Sequence, residues 1–384
     1  MNEYEKRKEA ILRYTCGEKI TTIVSSLKKT RQWFYNWLAR YNERQDDDSW
    51  FLGYLTAPRS KPTKICDLLE QEVLQIRRSL EEQQFAQTGA IAIQYEFNKR
   101  GLHPPPVWTI NRIIARNGLN RQYPGPKKAK EYPELFVYSH QLDLVGPRYI
   151  KGDGRFYSVN LIDTQSHCCQ VRPTRVKSSS EILQAIVEFW SSHGMPDALQ
   201  MDNELAFRGS NRYPRSFGSV VRFALCQGVA PVFIPLKEPW RNGMIEKFND
   251  TYDKRFLRCL NFANFDELSR ESTRFVAFHN ANHRYSSQGH KTPNEINKMT
   301  VAPVLYTGDT HLQKKIDLET GCVYFIRFIR SDLMLQLPTE SFKLKDELKY
   351  SYVVAEVNID NQCLVIRQNN EIIQIFDYRT PVDW

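Results

Sequence analysis

Apolar positions recur along this chain at two periods, and the point where the period changes marks its organisation. Up to about residue 122 the spacing is helical, in two sets separated by a linker. EYEKRKEAILRY carries Ala10, Ile11 and Tyr14 at helical spacing, and Gly17 stops the run. ITTIVSSL reads as a short second helix, and KKT links it tightly to RQWFYNWLARY, with Thr30 as N-cap. In that third helix Trp33, Phe34, Trp37 and Leu38 supply a packing face, while Arg31, Gln32, Tyr35 and Asn36 are the polar positions near its start. Helix, short helix, turn and amphipathic helix make a helix-turn-helix arrangement, whose last helix can enter a major groove.

DDDSW and APRSKPTK follow as a linker, and a second helical set begins at Ile65. Its pieces are ICDLLEQEVLQIRRSLEEQ, GAIAIQYEFNKRG and PPVWTINRIIARNGL, the last opened by Pro105 and Pro106 and closed by Gly118. This predicts a second helix-turn-helix-like unit, with Thr109, Asn111 and Arg112 outward and Ile110, Ile113 and Ile114 inward. YPGPKKAKEYP is a basic, proline-broken linker that includes Lys127 and Lys128.

Strands then dominate. LFVYSHQLDLVGPRYI reads as a strand, GDG as a hairpin turn, and FYSVNLIDTQS and CCQVRPTRV as two more strands. SSEILQAIVEFWSSHG is a serine-capped helix, DALQMD a strand, SFGSVVRFALCQG a helix, VAPVFIP a short strand, and RNGMIEKFNDTYDKRFLRCL a long helix. Three strands, helix, strand, helix, strand, helix is the order of a ribonuclease H-like α/β domain. Beyond residue 300, CVYFIRFI, LMLQL, YVVAEVNI, CLVIRQ and EIIQIF predict a small antiparallel barrel. The expected fold is therefore multidomain, with helix-turn-helix units over 1–45 and 62–122. An α/β ribonuclease H-like catalytic core would span 131–298, and a small all-β barrel 318–384.

Composition narrows the setting. A chain of 384 residues is long enough for several cores, and no apolar run approaches the ~18 residues of a membrane span. The N-terminal MNEYEKRKEA lacks a signal-peptide apolar region, and the eight cysteines include no CxxC pair. Free thiols and a cytoplasmic location are the expectation. Net charge is +9, but residues 1–130 hold 23 Lys+Arg against 14 Asp+Glu, while the rest holds 30 of each. The whole positive excess lies in the front third, where a polyanion would be gripped.

Three acids stand out by position. Asp143 sits inside the first strand between Leu142 and Leu144, where an acid costs free energy unless it is paired or binds a metal. Asp202 ends the fourth strand, and Glu246 opens the helix after the fifth. Each also has a plain structural reading: a hydrogen-bonded strand residue, an Asx turn, and a charge favouring the helix dipole. The strand order brings the middle of the first strand beside the end of the fourth, so the three can converge, although 58 and 43 residues separate them. Hard divalent cations take such oxygen ligands. Two of them can drive an in-line phosphoryl displacement with no serine or cysteine nucleophile. GxSxG, HExxH and GxxxxGK[ST] are absent, and the neighbours His167, Cys168 and Cys169 would point to opposite faces of a strand.

QLDLVGP, LIDTQS, QMDNELAF and PWRNGMIEKFN, followed by FHNANHRYSSQGHKTPNEI, resemble the DDE transposases of the retroviral-integrase superfamily, close to bacterial insertion-sequence enzymes. The resemblance covers residues 139–296. It implies that Asp143 bridges two Mg²⁺ or Mn²⁺ ions while Asp202 and Glu246 each hold one. It further implies that Asn203 orients Asp202, and that Asn242 and Gly243 open the catalytic helix and aim Glu246. Lys247 and Lys254 would face DNA. The implied activity is cleavage of double-stranded DNA at transposon ends and transfer of the 3′-hydroxyl to target DNA by a homo-oligomer in the nucleoid. The alternatives are a domesticated, transposase-derived DNA-binding protein or regulator, and a nuclease without strand transfer. Three departures from the family pattern are the long Asp202–Glu246 interval, where RGSNRYPRS is surplus, Glu204 in place of a small residue, and Asp250 and Asp253 where relatives often carry basic residues.

Overall fold

The computed structural model describes residues 2–44, 49–53, 65–120, 132–300, 303–308, 316, 318 and 320–381. The chain divides into two compact units, Met1–Cys66 and Asp67–Trp384. The first holds α1 (Glu3–Thr15), α2 (Ile20–Ser26) and α3 (Arg31–Glu43). Asn2 and Glu5 form a capping box at α1, and Thr30 accepts the Trp33 N–H at the start of α3. Ala10, Ile11, Ile23, Val24, Leu27 and Phe34 make the core. On α3 the positions Arg31, Gln32, Tyr35 and Asn36 are exposed, and the Gln32 amide donates to Asn36 Oδ1 at 2.9 Å.

The second unit opens with α4 (Asp67–Glu82), α5 (Ala90–Lys99) and α6 (Val107–Arg116). Val73, Ile76, Leu80, Ile93, Phe97, Ile110, Ile113 and Ile114 are buried among these helices. One expectation is corrected here. Thr109 does not point outward; it is 4% exposed, because helical geometry sets it one turn before Ile113 on the same buried stripe. Trp108, 60% exposed, takes the outward place beside the exposed Asn111 and Arg112, with the Arg112 guanidinium 5.5 Å from its ring centroid.

The turn between α4 and α5 is fastened to the α/β core. Phe85 packs edge-on against Phe275, at 5.2 Å between centroids, and also meets Phe256 and Phe278. Arg255 donates to the carbonyls of Phe85 and Ala86, and Gln87 exchanges hydrogen bonds with the Arg284 backbone.

The core begins with β1 (Ser139–Ile150), β2 (Gly154–Asp163) and β3 (Cys169–Thr174), then α7 (Ser179–His193) and β4 (Ala198–Met201). There follow the single turn α8 (Leu205–Arg208), α9 (Ser219–Cys226), β5 (Ala230–Phe233) and α10 (Gly243–Tyr252). A 3-10 turn, Pro239–Asn242, leads into α10, and a π-helical turn, Asp253–Leu257, ends it. After it come α11 (Phe265–Asn282) and the short α12 (Pro293–Asn297). Among the described residues these strands lie in the order β3-β2-β1-β4-β5, with β1 antiparallel to β2 and parallel to β4. Leu142, Leu161, Ile186, Trp190, Leu199 and Phe233 are fully buried in the larger core cluster. Ile245, Phe248, Tyr252 and Phe275 build the one under α10 and α11.

The last third departs from expectation. Its strands are β6 (Cys322–Phe328), β7 (Met334–Gln336), β8 (Ser341–Lys343), β9 (Tyr352–Asn358), β10 (Cys363–Gln368) and β11 (Glu371–Asp377). They do not close into a separate barrel among the described residues. β6 instead pairs in parallel with β5, setting Val232 against Tyr324 and Phe233 against Phe325. The result is one nine-stranded sheet in the order β11-β10-β9-β6-β5-β4-β1-β2-β3. The β7–β8 hairpin folds over the far end, where Phe342 meets Phe376 at 5.0 Å between centroids. Phe233 and Phe325 stack across the seam at 4.9 Å, and that apolar pairing favours continuation over closure.

All eight cysteines are free, and Cys168 and Cys169 are both buried. No described helix is long and apolar enough to cross a membrane. Lys127 and Lys128 lie outside the described residues.

Candidate active site

Asp143 lies in the middle of β1, opposite Asn160 of β2. Its Oδ1 accepts the Leu144 N–H at 2.9 Å and its Oδ2 accepts the Asn249 amide at 2.6 Å. Asn249 is in turn held by the Asn160 amide at 2.7 Å. Asn249 stands three residues after Glu246 on α10, so one helix face carries both the acid and the amide that steadies Asp143. Sequence reading missed Asn249; the signal was its i+3 spacing from the glutamate.

Asp202 follows the last residue of β4. Its Oδ1 accepts the Glu204 N–H at 2.9 Å, which closes an Asx turn. The turn uses one carboxylate oxygen of Asp202 and sets the direction of the group. Glu204 itself pairs with Lys177 at 2.7 Å and precedes α8. Asn203 donates to the Ile234 carbonyl at 2.8 Å and accepts from Arg327 at 2.7 Å.

Glu246 lies in the first turn of α10. The start of that helix is tied to both strands that carry the aspartates. Asn242, buried, donates to the Leu142 carbonyl at 3.2 Å, and Gln200 donates to Asn242 Oδ1 and to the Arg241 carbonyl. Gln141 Oε1 accepts the Ile245 N–H at 2.9 Å. Gly243, the first helical residue, has open space where a Cβ would stand. Gln141 and Gln200 each precede an aspartate by two residues, a regularity visible in QLD and QMD whose meaning only the fold supplies.

The electrostatics are those of like charges facing one another. Burial pushes the Asp143 carboxyl up to about 6 from its ordinary 3.8, and the charges of Asp202 and Glu246 push the same way. Burial also raises the Asp202 and Glu246 carboxyls. None of the three forms an ion pair among the described residues. Nor does any group of three His, Cys, Asp or Glu side chains there stand close enough to hold an ion by itself. As donors the three acids fit a hard divalent cation: they are oxygen-only and negatively charged, and none is tied up in an ion pair among the described residues. Their spacing is open.

The flanking lysines differ. Lys247 is exposed, whereas Lys254 pairs with Asp250 at 2.7 Å. A polar cleft of about 1130 Å³ runs beside them, between the α4–α5 turn and α10, and is lined among others by Gln87, Lys247, Arg255 and Arg284.

Residues 227–293 match the family described as integrase core domain, a span that includes Asn242, Gly243, Glu246, Lys247 and Lys254 but neither aspartate. No curated protein matches the chain. The HTLV-2 integrase catalytic core domain in complex with magnesium is similar at 20% identity and TM-score 0.32, covering 42% of this chain and 97% of that one. The simian T-cell lymphotropic virus intasome in complex with the PP2A regulatory subunit B56 gamma is similar at 13% identity and TM-score 0.38. That match covers 76% of this chain and 93% of the viral one.

Proposed function

We propose that this chain is a metal-dependent DNA transposase of the retroviral-integrase superfamily, a reading supported by the integrase core domain match over residues 227–293. It binds transposon ends, cleaves a phosphodiester bond there and joins the freed 3′-hydroxyl to target DNA. The observation that carries this reading is that Asp202 and Glu246 stand near enough to Asp143 for their charges to add to burial in raising its carboxyl to about 6. Binding to DNA alone has no use for a half-buried aspartate whose carboxyl two neighbouring acids raise further.

Two Mg²⁺ or Mn²⁺ ions, when bound, supply the Lewis acidity and the activated oxygen of an in-line displacement. Asp143, Asp202 and Glu246 would hold them. Asn249 keeps Asp143 turned towards α10, Asn203 fixes the corner that bears Asp202, and Asn242 with Gly243 aims the first turn of α10. Lys247 grips the phosphate backbone, and the charges of Lys254, Lys127 and Lys128 add to the attraction for DNA. The two helical units supply sequence reading: Arg31, Gln32, Tyr35 and Asn36 in the first, Asn111 and Arg112 in the second. Joining two ends to one target calls for several copies on DNA, acting in the bacterial cytoplasm at the nucleoid.

One observation favours a second reading, a transposase-derived DNA-binding protein without catalysis: the acids do not form a closed cluster. Purified protein with end-containing DNA and Mn²⁺ separates the two. Nicked and strand-transfer products are expected from the wild type. Asp202→Asn should reduce both by roughly 10²- to 10³-fold, the scale for losing one electrostatic partner of a transition state. Wild-type activity in that variant would remove Asp202 from the site, and no cleavage by the wild type would favour the binding protein.

A further inference from the structure

The buried cation nearest the Asp202 corner comes from the far end of the chain. Arg327 lies on β6, is 4% exposed and forms no ion pair among the described residues. Its guanidinium is satisfied by neutral oxygens: it donates to Asn203 Oδ1 at 2.7 Å, to the Ile234 carbonyl at 3.0 Å, to the Gln336 carbonyl at 2.9 Å and to the Ile326 carbonyl at 2.9 Å. These acceptors sit at the end of β4, the end of β5, on β7 and on β6 itself. Burying a charge against neutral acceptors costs desolvation, and an apolar side chain could join two strands without that cost.

What the guanidinium does that an apolar group cannot is hold Asn203 by its side-chain oxygen. The Asn203 amide grips Ile234, and Arg208 donates to the Asn203 backbone carbonyl at 2.9 Å. Asn203 is thereby fixed at both ends of its side chain and at its carbonyl. The adjoining Asp202 has only its Asx turn to set its direction. A planar fork reaching several acceptors at once is a task suited to arginine rather than lysine.

We propose that Arg327 is a positioning residue for Asp202, acting through Asn203, so that the C-terminal strands complete the corner that the catalytic core begins. The proposal rests on the transposase reading for what Asp202 does, but not for how it is held. Outer partners of this kind typically change metal affinity or activity 10–100-fold.

The test compares wild type, Arg327→Gln, Asn203→Ala and the double variant, all as full-length protein. Hydrogen exchange of residues 199–207 is read without metal, alongside DNA affinity and the cleavage rate at saturating end DNA with Mn²⁺. Each single variant should exchange at least about tenfold faster in 199–207 while α7 and α9 keep wild-type protection. Each should cleave about tenfold or more slowly with unchanged DNA affinity. The double variant should lose less than the product of the two single effects, since both break the shared Arg327–Asn203 contact while each also loses bonds of its own. If Arg327→Gln does not fold, Asn203→Ala reads the same contact from the core side. Wild-type exchange at 199–207 in the folded variants, or effects that multiply in the double variant, overturns the proposal. Faster exchange with no cleavage by any protein leaves the positioning intact and removes the transposase reading instead.

Discussion

Gln141 and Gln200 stand side by side in register across β1 and β4; Gln141 reaches the first turn of α10 and Gln200 the 3-10 turn that leads into it. Gln141 accepts the Ile245 N–H, and Gln200 donates to the Arg241 carbonyl and to Asn242. The pair is a bracket: the two strands that present the aspartates are the same two that seat the helix presenting Glu246. Replacing either by leucine keeps the volume and removes the grip. Cleavage should fall about 10- to 100-fold with DNA affinity unchanged. A gel assay of single-turnover cleavage at saturating DNA reads this, and an unaltered rate would reduce the bracket to packing.

Asp143 makes stability depend on pH in a definite direction. Its folded carboxyl titrates near 6 against an ordinary 3.8, so the stability contributed by the protonated form is complete below about 3.8. That contribution is lost as pH rises through 6. Asp143→Asn mimics the protonated acid. Its stability advantage over the wild type in EDTA should therefore grow from pH 4 to about pH 6 and stay level above. Urea unfolding across that range checks it; a constant difference, or one that shrinks with rising pH, contradicts the burial and repulsion described for the site.

Asn242 is buried and bonded on both sides, to Leu142 of β1 and Gln200 of β4. Asn242→Ala takes a donor from the Leu142 carbonyl and leaves Gln200 only its bond to Arg241, at about 1–3 kcal/mol for lost buried hydrogen bonds. The thermal midpoint should drop and cleavage should fall further than the loss of folded protein explains. Equal losses in the two measurements would leave Asn242 a structural residue only.

On α6 the structure sorts the polar positions. Asn111 and Arg112 are exposed and Thr109 is buried. Alanine at either exposed position should weaken binding to the cognate end by about 1–3 kcal/mol if it reads a base. Thr109→Val should leave binding unchanged. Fluorescence anisotropy on end DNA and on scrambled DNA separates the cases, and a binding defect in Thr109→Val would contradict the orientation of α6.

Much of the core was legible because its signals are local. The order of strands and helices from β1 to α10 follows from alternation, serine and glycine caps and apolar runs, and the acids stand out as charges in apolar surroundings. What escaped has physical reasons. The long helix α11 buries Ser272, His279 and Asn280 on the same face as Leu268 and Phe275, so its apolar period is diluted. The elements α8 and β8 are too short for any period to show. Thr109 was misjudged because polarity was taken for exposure. The partner of β6 was invisible because strand pairing across almost a hundred residues leaves no mark in either segment. Arg327 and Asn249 went unread for the same reason: their value lies in distant acceptors.

The seam between β5 and β6 bears on how this protein can be handled and how it can change. A fragment cut after α12 would carry Asp143, Asp202 and Glu246 yet leave β5 as a raw edge, with the ring of Phe233 open to any strand that met it. Such a fragment is a nucleus for self-association rather than a minimal enzyme. The C-terminal strands are therefore not an appendage that recombination can swap freely: any replacement must bring its own edge-matching strand.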